Sequence, residues 1–358
     1  MKHSLNINGL IPKFPIIQGG MGVGISLHSL AGHVAKAGGI GIISSAQIGY
    51  RAANFLTNTL NANLTALKEE LTKARAIAPQ GIIGVNIMVA LSHYEEMVKQ
   101  AIAAGADLII SGAGLPVNLP LYAKRGEEVC KASLSKKVKL APIVSSGKAA
   151  KVICKLWDRK HQVAPDMLVV EGPLAGGHLG FSVNEIEENP NVLDIMEDVK
   201  AVATEYGEKY NKYIPVVVAG GFYSGHDIAH ALEKGADGVQ MATRFVTTYE
   251  CDAPLAYKEA YINATADNIG IIKSPVGMPG RAIYNPFIKN VPGNKACYYH
   301  CLEKCSVTDI PYCISTALIS AAKGDVDNAL LFCGSNAYRA QKLEHVQDIF
   351  SELEAAIK

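Results

Sequence analysis

Residues 214–244 repeat one physical pattern twice in succession. An apolar run ends in the paired glycines Gly220 and Gly221, a helical pattern follows, and a Gly-Ala-Asp turn leads into a second apolar run. The first run has no polar position, as in a strand that is buried on both faces of a parallel sheet. Ser224 is a suitable N-cap for the intervening helix. The pattern therefore predicts two parallel strands that end side by side.

The ends of these two strands form a predicted binding site for an anion. Backbone N–H groups at the strand ends, together with the nearby helix N-terminus, can surround a phosphate monoester. The N–H groups concerned belong to Gly220, Gly221, Ala242 and Thr243. Many (β/α)8 barrels hold a phosphate at the corresponding place, after the seventh and eighth strands.

Apolar runs and helical patterns alternate along most of the chain, with room for one crossover helix between successive runs. The candidate strands are residues 15–19, 41–44, 82–87, 108–111, 140–145, 167–171, 216–219 and 238–241. They predict a (β/α)8 TIM barrel, an α/β fold. Strand patterns stop after Thr248. We therefore expect a barrel core over residues 1–248 and a helical, cysteine-containing extension over residues 249–358.

Composition limits the classes of partner. The 358 residues are 49% hydrophobic, and 34 basic residues balance 33 acidic ones, so there is no basic field for nucleic acid. No apolar segment reaches the roughly 18 residues of a membrane span, and the N-terminal residues lack the apolar region of a signal peptide. We expect a cytoplasmic protein that acts on a small-molecule substrate. A homodimer is compatible with the sequence, which does not determine the oligomeric state.

Glycine-rich motifs at five predicted strand ends resemble those of one flavoenzyme family. The motifs are Gln18-Gly19-Gly20-Met21-Gly22, Gly84-Val85-Asn86, Ser111-Gly112-Ala113-Gly114, the segment from Glu171 through Gly177 and His178 to Gly180, and the paired-glycine segment. In this order they resemble the FMN-dependent nitronate monooxygenases, formerly 2-nitropropane dioxygenases. That family includes the flavin-type enoyl-acyl-carrier-protein reductases.

The resemblance implies a noncovalent FMN over the C-terminal mouth of the barrel. Glycines are needed where the backbone passes close to a flat ring. Besides the phosphate-binding backbone, the implied FMN contacts are Gly20, Met21, Gly22, Asn86, Glu171, Gly177, Gln240 and Met241. Lys148 either places a positive charge near the flavin or is a solvated lysine at the start of a helix.

His178 is the predicted catalytic residue. It follows the strand that ends at Glu171, on the face where barrel loops carry chemistry. The resemblance implies two reactions. His178 holds the nitro oxygens of an alkyl nitronate that is oxidised with O2, or it polarises the carbonyl of an enoyl thioester that is reduced with NAD(P)H. We adopt nitronate monooxygenase as the broader description and keep the enoyl thioester reductase as the alternative.

Four of the eight cysteines lie close together in the extension. Cys297, Cys301, Cys305 and Cys313 are spaced C-x3-C-x3-C-x7-C. A helix would place the first three on one face. Four soft ligands suit an iron–sulfur cluster or zinc, whereas disulfides are disfavoured in the cytoplasm. The spacing is not that of the usual zinc or ferredoxin motifs, so buried cysteines acting as small hydrophobes are an equal alternative.

Two further classes of function stay open. The chain could be a flavin-containing or metal-containing redox sensor or electron carrier in which the cysteines are the working centre and His178 is idle. It could also be a barrel that binds another phosphorylated ligand.

Several other polar residues have ordinary structural interpretations. His226 and His230 are predicted to be surface or packing residues, as are His28 and His33. Arg281 is predicted either to meet an anionic substrate or to form a structural salt bridge.

Overall fold

The computed structural model describes residues 4–130, 137–291, 297, 299–303, 305 and 310–357. Its strands are β1 (Ile16–Gln18), β2 (Ile40–Ser44), β3 (Ile82–Met88), β4 (Leu108–Gly112), β5 (Lys139–Val144), β6 (Leu168–Glu171), β7 (Gly177–His178), β8 (Val216–Ala219), β9 (Gly238–Met241), β10 (Ile269–Lys273) and β11 (Pro279–Ile283). All except β7, β10 and β11 form a closed parallel barrel in chain order. The predicted (β/α)8 barrel is confirmed.

Helices alternate with the barrel strands and continue to the C-terminus. They are α1 (His28–Ala37), α2 (Thr59–Ile77), α3 (Tyr94–Ala103), α4 (Leu119–Val129), α5 (Gly147–His161), α6 (Val183–Glu188), α7 (Val192–Lys209), α8 (Gly225–Glu233), α9 (Thr243–Val246), α10 (Leu255–Ile262), α11 (Pro286–Lys289), α12 (Ile314–Ala322) and α13 (Val346–Ile357). Short 3-10 turns occur at Ala266–Asn268, Val326–Asn328 and Ala337–Arg339.

The barrel closes because β1 pairs with β9 as well as with β2. Successive strand residues alternate between two apolar clusters, since side chains point to opposite faces. Ile17 and Val217 belong to the cluster inside the barrel, whereas Ile16 and Val218 pack under the surrounding helices. Burial on both faces explains why the strands read as continuous apolar runs.

The N-cap predicted for the helix after β8 is present. Ser224 Oγ accepts the N–H of Asp227 at 3.4 Å, and Asp227 Oδ2 accepts the N–H of Ser224 at 2.8 Å. This reciprocal capping box starts α8 immediately after the paired glycines.

Three aspartates at strand entrances perform the same structural task. Each aspartate lies just before one barrel strand and accepts the backbone N–H of a residue in the barrel strand that precedes it. The pairs are Asp107 with Ile83, Asp166 with Leu140 and Asp237 with Val216, at 2.9, 3.0 and 2.8 Å. Their basic partners are Arg75, Lys212 and Lys200. The device holds adjacent strands in register at the end of the barrel opposite the active-site mouth.

The extension after residue 248 is helical, as predicted, and it also contributes β10 and β11. The strand β11 pairs antiparallel with β7, and α13 packs against α1 and α8. Arg244 is buried after β9 and binds Glu344 at 3.0 Å and Glu352 of α13 at 3.0 Å. These contacts join the extension to the barrel. The domain boundary at residue 248 stays a prediction.

Among the described residues, none of the helices combines the length and the apolar character that crossing a membrane requires. The cytoplasmic location stays a prediction.

We expect Asp107→Ala to lower the free energy of unfolding by about 1–3 kcal/mol, because it leaves the buried N–H of Ile83 without its acceptor. Asp107→Asn retains an acceptor oxygen and serves as the matched control, with a smaller loss. Urea denaturation of both variants measures the difference. Equal stability of Asp107→Ala and the unchanged protein would contradict the register role.

Candidate active site

A cavity of about 770 Å³ opens at the C-terminal mouth of the barrel. The ends of the strands and the loops that follow them form its inner wall, and the extension forms its outer wall. The cavity lining includes these residues that the sequence predicts to contact FMN or substrate: Gly20, Met21, Gly22, Asn86, Glu171, Gly177, His178, Gly220, Gly221, Gln240, Met241, Ala242 and Thr243. Gly112, Ala113 and Gly114 of the remaining motif also line the cavity, so the folded chain brings together residues from all five motifs.

The backbone geometry explains two of the glycine motifs. Gly220 and Gly221 have φ angles of 94° and 93°, in the left-handed region that favours glycine. At Gly20 an added Cβ would lie 2.4 Å from Cβ of Asn86, so only glycine allows this close approach. Both turns leave the backbone itself as the surface of the cavity, which suits a flat ring and a phosphate.

The cavity contains a buried acceptor that fits a flavin. Gln240 Oε1, at the end of β9, is buried and has no hydrogen-bond partner among the described residues. An unpaired buried acceptor costs free energy unless a ligand supplies a donor. The pyrimidine edge of FMN carries such an N–H. The glycine turns and this acceptor therefore fit the cofactor that the motifs imply.

His178 lies over the cavity on the short strand β7. Its Nε2 is 2.7 Å from Ser274 Oγ, and its ring packs edge-on against Phe332 with 4.9 Å between ring centroids. Burial lowers the pKa of His178 to about 4, so the imidazole is neutral at physiological pH. A neutral imidazole can donate one hydrogen bond and accept another.

Glu171 is the second ionisable group in the inner wall. It is the last residue of β6 and lines the cavity. Burial raises the pKa of Glu171 to about 7, because the charged carboxylate is poorly solvated there. The site therefore pairs a neutral histidine with a carboxyl group that changes charge near neutral pH, a combination typical of functional sites.

The family model of the nitronate monooxygenases matches residues 5–355 of this chain. The chain belongs to the nitronate monooxygenase family. It is an FMN-dependent oxidoreductase, in agreement with the cavity described above.

Two relatives illustrate the range of names among similar sequences. One is the (3aS,4S,5R,7aS)-5-hydroxy-7a-methyl-1-oxo-octahydro-1H-indene-4-carboxyl-CoA dehydrogenase of Rhodococcus jostii, 28% identical over 78% of this chain. This chain spans only 65% of that protein's length. The other is a probable nitronate monooxygenase of Staphylococcus saprophyticus, 27% identical over 80% of this chain and 81% of the relative.

Solved structures support the fold. FabK of Thermotoga maritima is similar over 97% of this chain and 93% of that protein, with a TM-score of 0.71 and 23% identity. Nitroalkane oxidase of Streptomyces ansochromogenes covers 97% of this chain and 96% of its own, with a TM-score of 0.70 and 19% identity.

In this family member the loop that carries His178 is held by Arg281. The guanidinium is buried and donates to the carbonyl oxygens of Pro173 and Ala175, both at 2.6 Å. Neither sequence interpretation of Arg281 describes this role, because both assigned it an anionic partner. A planar donor with several N–H groups can satisfy two carbonyls of one loop, which a lysine does less well.

The sequence patterns did not indicate the residues that the extension adds to the cavity. Asn336 Nδ2 donates to the carbonyl of Gly221 at 2.7 Å, and the N–H of Gly334 donates to Thr243 Oγ1 at 3.1 Å. Ser274, which contacts His178, comes from the turn between β10 and β11. The one local signal is the Gly334-Ser335-Asn336 run, which is typical of a turn.

Lys148 is exposed in the first turn of α5 and is not among the described residues that line the cavity. Its role near the flavin stays a prediction. The described lining contains no lysine or arginine, so the predicted phosphate site depends on backbone N–H groups.

Of the four clustered cysteines, Cys301 lines the cavity. In the described part of the chain, three residues have possible metal-ligand atoms within 4.8 Å of one another, and none of them is a cysteine. They are His28, Glu70 and Asp252. Hydrogen bonds explain that group, since Asp252 accepts the N–H groups of Leu27, Ser29 and Leu30 at the start of α1, and Glu70 accepts His28 Nδ1 at 2.6 Å.

We expect Asn336→Ala to weaken FMN binding by about 2- to 10-fold, because one hydrogen bond that supports the Gly220–Gly221 turn is lost, at about 0.5–1.5 kcal/mol. Quenching of flavin fluorescence measures the dissociation constant. Asn328→Ala is the matched control, because Asn328 bonds only Asp325 among the described residues and is exposed. An unchanged FMN affinity in Asn336→Ala would contradict this role.

Proposed function

We propose that this protein reduces a neutral enoyl thioester with an apolar chain, using NAD(P)H as the reductant and FMN as the bound carrier. One observation carries the proposal. His178 is neutral, and it faces a cavity whose outer wall is apolar and whose described lining contains no lysine or arginine. FMN would supply the hydride chemistry, by taking hydride from the nicotinamide and passing it to the β-carbon of the enoyl thioester, and a proton from solvent would complete the α-carbon.

The outer wall of the cavity suits a hydrocarbon chain. The apolar lining beyond the glycine turns includes Met88, Val89, Leu91 and Leu115 from the barrel side, and Val276, Met278, Leu302, Ile314, Leu318 and Phe332 from the extension. Covering apolar surface contributes about 25 cal/mol per Å², so a longer chain gains affinity in such a wall. A small nitronate buries little of it, and the described lining has no lysine or arginine to pair with its charge.

Ser274 determines how His178 can act. Its Oγ lies 2.7 Å from Nε2 of His178 and also accepts the N–H of Val276 at 3.4 Å. A hydroxyl that accepts one bond can still donate another, and in the proposed arrangement Ser274 donates its proton to Nε2. The imidazole hydrogen then resides on Nδ1. From there His178 donates to the thioester carbonyl oxygen and stabilises the negative charge that develops on it. Phe332 and the β7–β11 pairing restrict the ring to this orientation.

One relative supports this substrate class by its name, which describes a dehydrogenase of a CoA thioester. Oxidation of alkyl nitronates with O2 is the second candidate. The family description and the Staphylococcus saprophyticus relative favour it, and His178 could equally donate to a nitro oxygen.

An anaerobic flavin-bleaching experiment on the purified protein distinguishes the two candidates. Propyl-2-nitronate is added to one sample, and NADH or NADPH to two others. We expect bleaching by a nicotinamide and recovery of the yellow colour on adding an enoyl-CoA, faster for a long acyl chain than for crotonyl-CoA. Bleaching by nitronate without a response to either nicotinamide would overturn the reductase and establish the second candidate.

We expect His178→Ala to retain FMN and to lose turnover by about 10²–10⁴-fold, the usual contribution of a positioned proton donor. Ser274→Ala should cause a smaller loss, because the tautomer of His178 is no longer selected. His226→Ala, an exposed histidine on α8, is the control and should keep full activity. Steady-state kinetics with the flavin content of each variant measure the effect. Full turnover in His178→Ala would remove the residue from the mechanism.

The two shifted pKa values predict a bell-shaped pH dependence of turnover. Activity should rise through pH about 4 as His178 loses its extra proton, and fall through about 7 as Glu171 becomes charged. The fall is expected because a carboxylate in the cavity opposes the negative charge that develops on the substrate oxygen. Glu171→Gln should abolish the step near neutral pH. A step that persists in Glu171→Gln belongs to another group.

A further inference from the structure

Two of the four clustered cysteines lie at the start of α12, at the outer wall of the flavin cavity. Cys313 is the N-cap residue of α12, and Cys301 Sγ lies 3.0 Å from Ser315 Oγ in the first turn of this helix. Cys301 is buried and lines the cavity. The folded chain therefore brings Cys301 and Cys313 to one place.

Cys297 and Cys305 lie near the same place. The Cys301 and Cys305 thiols each lie close enough to Cys297 and Cys313 to interact with them electrostatically. The four cysteines therefore form one cluster, and cysteines bind metal through their thiolate form.

One buried hydroxyl group in the first turn of α12 lacks a partner. Thr316 Oγ1 has no hydrogen-bond partner among the described residues. Buried hydroxyls are normally satisfied, so this group, three residues after Cys313, points to an acceptor that the described residues do not provide. Sulfur atoms of a metal cluster accept hydrogen bonds of this kind, and such bonds tune the cluster.

The spacing of the thiols disfavours zinc. A tetrahedral zinc with Zn–S bonds of about 2.3 Å brings its sulfur ligands to within about 4 Å of one another. In the described part of the chain, no three cysteine sulfurs lie within 4.8 Å of one another. A cubane cluster of four irons and four sulfides holds its four thiolates on separate iron atoms, so they stand farther apart.

We propose that Cys297, Cys301, Cys305 and Cys313 hold an iron–sulfur cluster at the outer wall of the flavin cavity. Each cysteine binds one iron through its sulfur and releases its proton to solvent as the bond forms. The first turn of α12 directs backbone N–H groups towards the anionic cluster. A cluster at this place would put a one-electron carrier beside the flavin.

Metal analysis of the FMN-loaded protein, purified without oxygen, tests the proposal. We expect iron and acid-labile sulfide in proportion to protein, and an electron paramagnetic resonance signal after reduction with dithionite. Absence of iron, or zinc without iron, would overturn it. This test is independent of the substrate, because nicotinamide-dependent bleaching of the flavin can succeed or fail whatever the metal content.

Cysteine variants locate the cluster. Cys301→Ser and Cys313→Ser should lose iron and sulfide while the flavin spectrum shows that the barrel is intact. Cys305→Ser, at a less buried position, gives the same test if the buried variants do not fold. Cys130→Ser, beyond the end of α4, is the matched control and should keep its iron. Iron that remains in all three cluster variants would contradict the assignment.

Discussion

Pairing of the first and last barrel strands is the interaction on which the rest of the structure depends. Because β1 pairs in parallel with both β2 and β9, all eight barrel strands end at the same mouth. Parallel closure buries both faces of every strand, which requires nearly continuous apolar runs and leaves no exposed sheet edge. Functional side chains therefore lie at the strand ends and in the loops, because the packed interior of the barrel leaves no space for a substrate. Motifs from opposite ends of the sequence therefore meet at one cavity.

The extension completes the cavity rather than standing apart from it. Its strand β11 pairs with β7 and so positions His178, while Arg281 of the same strand satisfies two carbonyls of the His178 loop. Ser274 and Phe332 contact the histidine ring directly. A loop with many glycines would otherwise sample many conformations, at a cost in entropy when it orders around a ligand. These contacts order the loop when the protein folds, so substrate binding does not carry that entropy loss.

Electrostatics distinguish the two sides of the cavity. The inner wall offers backbone dipoles and the unpaired oxygen of Gln240, which suit a polar cofactor with a phosphate. The outer wall is mostly apolar, and the burial that it imposes keeps His178 neutral and raises the pKa of Glu171. The same burial acts on Cys301, whose thiol lies where the outer wall meets α12. Desolvation is therefore the common cause of the site's unusual ionisation.

The amino-acid sequence by itself determined the eight barrel strands, the Ser224 cap and the glycine turns, because each follows from local periodicity or from a backbone angle that one residue type favours. It also placed His178 at the mouth, since parallel strands deliver their ends to one rim, whereas Gln240 was implied only by the resemblance of the motifs. Only the tertiary structure decided that β7 pairs with β11, that Arg281 holds a loop rather than an anion, and that Asn336 supports Gly221. Those contacts join residues far apart in the chain, and their partners are chosen by packing geometry that no local pattern encodes.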